Sequence, residues 1–346
     1  MAGGTGGHLF PAIAVSNYLR DKHWEIFWIT GQRGLDRSLL DIDRGRVHSL
    51  GFSGVRRNGL LGWVLLPFSL SRSILASFKF IRRVKPEVVV GFGGYVTVPG
   101  GIAALLSRVP LLVHEQNAIA GLSNKLLSKF SNRVLLGFPN TIRGGIFIGN
   151  PLRPFFHNIA TPDLRYSKRE GPIRILVIGG SLGAEVLNRV VPLAIAQISV
   201  EQRPLILHQS GKGKLQALRN LYGSCLVSAK TTEFIKDMRS AYEDADLVIS
   251  RAGALSVSEI AAAGIASIFV PYHAAVDDHQ SKNAEMLERS GGAFVIQERD
   301  FTKERLVKVL AKMKRHDLMR IAEKAREVAT LDATERAGSQ IEEIVS

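Results

Sequence analysis

The chain has 346 residues, enough for two ordinary domains with separate cores. Its composition, 46% hydrophobic and 22% charged, is that of a soluble globular protein, and 45 Lys and Arg against 31 Asp and Glu leave a net charge of +14, which points to a polyanionic partner or an acidic membrane surface. The single cysteine, Cys225, excludes an internal disulfide and suits a reducing cytoplasm, no secretory signal opens the sequence, and the most apolar stretch, residues 59–70, is too short and too interrupted by Gly, Pro and Ser to span a bilayer.

Short β-branched runs alternate with amphipathic helical patterns along the chain. WEIFWIT (24–30), EVVVGF (87–92), VPLLVHE (109–115) and RVLLGF (133–138) come first. IRILVIGG (173–180), RPLILHQSG (203–211), ADLVISRAG (245–253) and ASIFVPY (266–272) follow. Each reads as a buried strand of a parallel sheet, so the fold class is α/β with two doubly wound, Rossmann-like halves. The polar, proline-bearing and poorly periodic segment 151–172 separates the two series and reads as the interdomain linker. Ligands in such folds sit at the carboxyl ends of the strands, here in a cleft between the halves.

Three glycine-rich turns lie at such ends: GGTGGH (3–8), GFGGYVTVPGG (91–101) and GGSLGA (179–184). A turn of this kind feeding a helix presents backbone N–H groups beside the positive end of the helix dipole, so a phosphorylated ligand is expected. A dinucleotide is not: Gly4 and Gly6 fit the fingerprint, but Leu9 stands at the third glycine position and no acidic residue closes the second strand, which ends at Thr30-Gly31. No Walker-type loop occurs either.

Gly179-Gly180-Ser181-Leu182-Gly183 formally matches a nucleophile elbow, with Asp246 and His273 or His279 completing the order of a hydrolase triad. Asp246 should begin its strand, at the wrong end of the sheet, so Ser181 is better read as a phosphate donor. Asp244-Ala245-Asp246 resembles a metal-binding D-x-D, but it too falls at a strand start. Capping and strand entry are the expected roles, and no metal or other cofactor is expected.

The order GGTGGHLFPAIAV, GFGGYVTVPGGIAA, VHEQNAIAGLSNKLL, GNPLR, GGSLGAEVLN, HQSGKG, FIKDM, SRAGALSVSEIAAAG and QSKNA, running from residue 3 to about 300, resembles the MurG family, the UDP-N-acetylglucosamine:lipid I N-acetylglucosaminyltransferases of bacterial cell-wall synthesis. The resemblance implies a GT-B fold, with an acceptor domain over residues 1–153, a donor domain over 173–329, and a final helix at about 330–346 crossing back. It implies UDP-N-acetylglucosamine and lipid I as substrates, inversion at the anomeric centre, lipid II as product, and a peripheral place on the cytoplasmic face of the inner membrane beside other cell-wall enzymes. Transfer to another acceptor, a diacylglycerol or a polyketide aglycone, is the alternative within sugar transferases.

By the same resemblance, the donor meets Arg153, Ser181, the backbone of Ile235 at the uracil, and Ala254, Leu255, Ser256, Val257, Ser258 and Glu259 around ribose and diphosphate. Glu259 would accept from the ribose diol. Gln280 and Asn283 would hold the sugar hydroxyls, and His279 stands where the family usually has a first glutamine; the preceding HAAVDD also departs from it. In the first domain, Thr5, Gly6 and Gly7 would bind diphosphate and, with Asn117, reach the nucleotide sugar, while Gly4, Gly93, Gly94 and Tyr95 would take the acceptor. His8 is the candidate base and Glu115 the alternative.

From Arg44 to Pro86 there is no Asp or Glu, but there are nine Lys and Arg. Leu61, Trp63, Leu66 and Phe68 sit among Arg72, Lys79, Arg82 and Arg83, a pattern that suits either a core helix with a solvated basic face or docking on an anionic leaflet. The lipid-linked acceptor favours docking, and no nucleic-acid partner is expected.

GGTGGH should end the central strand of the first sheet, yet only Met1 and Ala2 precede it. A start assigned too late, or a truncation, is the expected cause. Weak stability and a damaged acceptor loop are expected of the chain as written.

Overall fold

The computed structural model describes residues 1–3, 6–31, 46–51, 59–274 and 276–345, with the backbone alone at 59–65 and 276. It divides into two compact units, Met1–Arg153 with Thr330–Ser346, and Pro154–Ala329.

The first unit runs α1 (Gly6–Asp21), β1 (Trp28–Gly31), β2 (Val47–Leu50), α2 (Gly59–Val84), β3 (Val89–Gly91), α3 (Thr97–Leu106), β4 (Leu111–Glu115), α4 (Leu122–Leu127), β5 (Arg133–Leu136) and β6 (Ile146–Phe147). β1 pairs with β2, and β3, β4, β5 and β6 form a second parallel sheet in that order. Met1 and Ala2 lie between the two. The Ala2 amide donates to the Ile29 carbonyl (3.3 Å), the Met1 terminal amine to the Val90 carbonyl (2.6 Å), and the Phe92 amide to the Met1 carbonyl (2.9 Å). Two residues thus do the work of one end of a central strand. Behind them a cavity of about 620 Å³ continues between β1 and β3, lined by Trp24, Phe27, Ile29, Val88 and Val90. Burial lowers the Met1 amine to about 5, because the charged form loses solvation there.

The second unit runs α5 (Pro162–Ser167), β7 (Arg174–Ile178), α6 (Glu185–Ala196), β8 (Leu205–Gln209), α7 (Leu215–Ser224), β9 (Lys230–Thr232), α8 (Met238–Asp244), β10 (Leu247–Ser250), α9 (Ala254–Ala263), β11 (Ala266–Phe269), α10 (His279–Ser290), β12 (Ala293–Val295), α11 (Lys303–Leu310) and α12 (Arg315–Glu327). Its six parallel strands lie in the order β12-β11-β10-β7-β8-β9. β10 and β11 are buried at every position, as a sheet covered on both faces requires. α6 covers it with Leu187, Val191, Ala194 and Ile195, spaced for one helical face.

Residues 154–172, expected as a linker, are instead structured within this unit. Phe156 is buried against Tyr242, and the Tyr166 hydroxyl donates to the Asp246 carbonyl (2.6 Å). The Arg165 guanidinium donates to the carbonyls of Ala160, Tyr242, Ala263 and Gly264. Three buried anchors suffice to order a segment whose remaining residues are polar, and periodicity does not reveal them.

The last helix, α13 (Ala333–Val345), packs on α1 in the first unit. Gly338 leaves room for the Tyr18 ring, and Arg133 reaches Gln340 (2.8 Å) and Glu343 (2.6 Å).

Candidate functional site

In the first unit the carboxyl ends of β3 and β4 meet the start of α1. Gly4 and Thr5 lie outside the described residues; Gly6 and Gly7 open the helix, and His8 follows in its first turn. Its Nδ1 lies 3.1 Å from the Gln116 side-chain oxygen, Oε1. The ring rests on Gly93, where φ is +92° and an added Cβ would stand 2.8 Å from Nδ1, so only glycine fits. Gly94 lies against the Gly3 carbonyl, and Tyr95 is half-buried beside Gly31.

Glu115 ends β4 almost completely buried. One carboxylate oxygen accepts from the Asn117 backbone (2.9 Å) and amide side chain (3.1 Å), the other from the Gly121 backbone (2.9 Å) and the Asn124 side chain (2.8 Å). Four donors saturate both oxygens. Glu115 therefore braces the loop into α4 rather than offering a lone pair to an incoming hydroxyl, a correction to its reading as a possible base. Asn117 is occupied in the same brace. The neighbouring His114 is buried, which lowers it to about 4, so it stays neutral and its Nε2 meets the Gly149 carbonyl at 3.2 Å. Arg153 closes this unit with its guanidinium 5.6 Å above the Phe10 ring.

In the second unit five loops crowd the carboxyl ends of the strands. The turn after β7 packs backbone to backbone on that after β8: a Cβ on Gly183 would lie 1.9 Å from the Ser210 carbonyl oxygen. Ser181 is exposed at its tip, and its carbonyl accepts from the Lys212 amide (3.3 Å). Gln209 spans two segments, its amide nitrogen donating to the Gly180 carbonyl (3.0 Å) and its oxygen accepting from the Ile235 backbone N–H (2.9 Å). The Ile235 N–H is therefore committed to Gln209. Asn188 on α6 donates to the Ser210 carbonyl (3.0 Å) while its oxygen meets His208 (3.1 Å), a histidine that burial lowers to about 3.

α6 and α9 both start at these ends, on the adjacent strands β7 and β10, and neither has a side-chain cap. Their first-turn N–H groups lack intrahelical acceptors. Ala254, Leu255, Ser256, Val257 and Ser258 fill the first turns of α9, with Ser256 and Ser258 half-buried. Glu259 accepts from the Tyr242 hydroxyl (3.0 Å).

Two expected sugar contacts are differently engaged. Asn283 is wholly buried and donates to the Ala252 carbonyl (3.2 Å), bracing the loop before α9; the Gln280 oxygen accepts from the Tyr272 amide (2.9 Å). His279 is half-buried at the start of α10.

The sequence reading missed three supports. These are Gln116, Gln209 and the pair Arg251–Glu298 (2.8 Å), in which Arg251 also donates to the Val270 and Pro271 carbonyls (3.1 and 3.2 Å). Burial alone would raise Glu298, but the donors Arg251 and His273 outweigh it and hold the carboxyl at about 2.

The elbow does not assemble. Asp246 precedes β10, bonded to Arg169 (2.5 Å) and Arg315 (3.2 Å), whereas Ser181 follows the far end of β7. Asp244 pairs with Arg174, so both carboxylates of the D-x-D are met by arginines.

Two parallel-sheet units with paired glycine loops define a GT-B glycosyltransferase: the glycosyltransferase family 28 N-terminal domain matches residues 1–136 and the family 28 C-terminal domain residues 174–341. A Cupriavidus necator protein named UDP-N-acetylglucosamine–N-acetylmuramyl-(pentapeptide) pyrophosphoryl-undecaprenol N-acetylglucosamine transferase is 47% identical over 97% of this chain and 94% of its own. A protein of the same name from Dechloromonas aromatica is 46% identical over 99% of this chain and 97% of its own. The crystal structure of Acinetobacter baumannii MurG superposes with a TM-score of 0.82 at 34% identity, covering 99% of this chain and all (100%) of that one. The chain belongs to this family of N-acetylglucosamine transferases.

Proposed function

We propose that the chain transfers N-acetylglucosamine from UDP-N-acetylglucosamine to the 4-hydroxyl of the muramoyl sugar of lipid I, inverting the anomeric centre and forming the peptidoglycan precursor lipid II. Family membership supports the substrates. Within the chain one arrangement carries the reading: the uncapped N-termini of α6 and α9, side by side on adjacent strands, with Ser181 and Ser256 at their mouths. Their N–H groups suit a nucleotide diphosphate and neutralise the charge that develops as UDP departs.

Ile235 faces the uracil through its carbonyl and Glu259 the ribose, while Gln280 reaches the sugar and Asn283 acts through the loop it holds. In the first unit Gly6 and Gly7 at the start of α1, with Thr5 before them in sequence and with Gly93, Gly94 and Tyr95, receive the acceptor. Inversion by single displacement needs a base for the acceptor hydroxyl as the oxocarbenium-like centre forms. His8 takes that role, since Glu115 is saturated.

Amides and serines supply the neutralisation here, so radiolabelled N-acetylglucosamine should pass from UDP-N-acetylglucosamine to a lipid I analogue at equal rate with and without a chelator. No transfer would refute the acceptor; loss of transfer on chelation would refute amide-only neutralisation.

α2 carries the membrane reading. It buries Ser73, Ser77, Phe80 and Ile81, while Phe68 (74% exposed), Arg72, Leu75 (53% exposed), Lys79 and Arg82 recur at helical spacing on the opposite side, with Arg83 beside them. Leu66 is half-buried against the core; the side chains of Leu61 and Trp63 lie outside the described residues. An apolar stripe interleaved with cations suits the headgroup region of an anionic cytoplasmic leaflet, at about 1 kcal/mol per basic residue. No helix among the described residues is long and apolar enough to cross a membrane. The protein should co-sediment with anionic but not neutral liposomes, and Phe68→Ser with Leu75→Ser should weaken this about tenfold; equal, weak sedimentation with both would sink the docking.

A further inference from the structure

Gln116 was not among the expected site residues, yet its side chain touches His8 from a wholly buried position. Its amide nitrogen donates to the Phe92 carbonyl at 2.8 Å. A carbonyl can only accept, so the NH₂ group must face Phe92; the reverse orientation would set two oxygens against each other. Both ends of this contact are held. The Phe92 amide donates to the Met1 carbonyl (2.9 Å), and the Gln116 carbonyl accepts from the Asn150 side chain (3.1 Å). With its nitrogen committed, Gln116 presents Oε1 to His8 Nδ1 at 3.1 Å. That oxygen also can only accept, so Nδ1 must carry the hydrogen. A neutral imidazole has one N–H, and Nε2 is left with its lone pair.

We propose that Gln116 is a positioning residue that holds neutral His8 in the Nδ1–H tautomer, the form able to take the acceptor proton at Nε2. The inference rests on the reading of His8 as base and names what prepares it. An unconstrained histidine side chain favours the opposite tautomer, with Nε2 protonated and useless as a base. Gly93 leaves room for the ring in this position, since a Cβ there would stand 2.8 Å from Nδ1.

The test is ¹⁵N NMR of imidazole-labelled full-length protein at alkaline pH, with His8 assigned by the signal that vanishes in His8→Gln. The wild-type signal should be that of Nδ1–H, and Gln116→Leu should move it to Nε2–H. Gln116→Leu should also lower kcat about ten- to a hundredfold with the KM for UDP-N-acetylglucosamine unchanged, as loss of an orienting partner does. An Nε2–H signal in the wild type overturns the proposal, and that measurement needs no variant to fold. An Nδ1–H signal that persists in Gln116→Leu overturns it too. Should the tautomer respond to Gln116 while His8→Ala keeps full kcat, the failure lies in the base assignment and the hydrogen-bond relay stands.

Discussion

His8→Ala should lower kcat by about 10²–10⁴ while leaving the KM for UDP-N-acetylglucosamine within about twofold. The two carboxylate oxygens of Glu115 accept four N–H donors, so the alternative base named from the sequence is spent on structure. His114, next along β4, is buried with Nε2 at the Gly149 carbonyl. His8 sits in the first turn of α1, at the glycine turn where the acceptor diphosphate is proposed to bind. Removing its imidazole takes away proton transfer in the transition state and little of the ground-state grip on the donor, which falls to the other unit. Gly93→Ala should act in the same direction, since its Cβ would need the space of Nδ1 and its φ of +92° disfavours any side chain. Steady-state kinetics at saturating lipid I analogue decide the matter; an unchanged kcat in His8→Ala would remove the residue from the chemistry.

A second large effect concerns stability. Extending the chain by five apolar β-branched residues ahead of Met1 should raise the melting temperature by about 5–10 °C at pH 7, whereas five Gly and Ser residues should give none of this gain. β1 and β3 flank a slot that is bridged at one end, among the described residues, by three hydrogen bonds linking Met1 and Ala2 to Ile29, Val90 and Phe92. Strand neighbours stand about 4.8 Å apart, so an inserted strand would pair with both edges and bury its side chains in the 620 Å³ cavity. The pH dependence gives an independent sign. The buried Met1 amine is lowered to about 5, from an ordinary 8.0, so the fold prefers it neutral. The stability this allows is present above pH 8 and is lost as pH falls towards 5, by up to roughly 4 kcal/mol. In the extended chain that nitrogen is an amide, and the loss over pH 8 to 5 should shrink accordingly. Equal melting temperatures for the apolar and Gly/Ser extensions would contradict the slot as a strand seat.

The eight strands legible in the sequence are those with continuous apolar runs; six of them lie inside their sheets, and the other two, β1 and β3, flank the slot. The four that escaped, β2, β6, β9 and β12, are all edge strands. VHSL, IF, KTT and AFV are short and partly exposed, because an edge is covered on one side only and needs no long apolar run. The glycine turns were legible because backbone approach demands glycine locally, as at Gly93 and Gly183. What periodicity and motif spacing could not supply were the side chains that tie distant segments together. Gln209 joins Gly180 to Ile235, Arg251 reaches Glu298, and Arg165 gathers carbonyls from three parts of the second unit. Polar residues of that kind look like surface until the partners are known. The same limit explains Asn283, which was assigned to a sugar by resemblance and in the fold holds the Ala252 carbonyl.

The central claim is that backbone amides at two helix starts grip the donor diphosphate. A crystal structure of the chain with UDP-N-acetylglucosamine tests it most directly. The account predicts both phosphates within hydrogen-bond distance of the turn at Ser181 and of the amides of Ala254–Ser256. Phosphates lying away from both segments would contradict it.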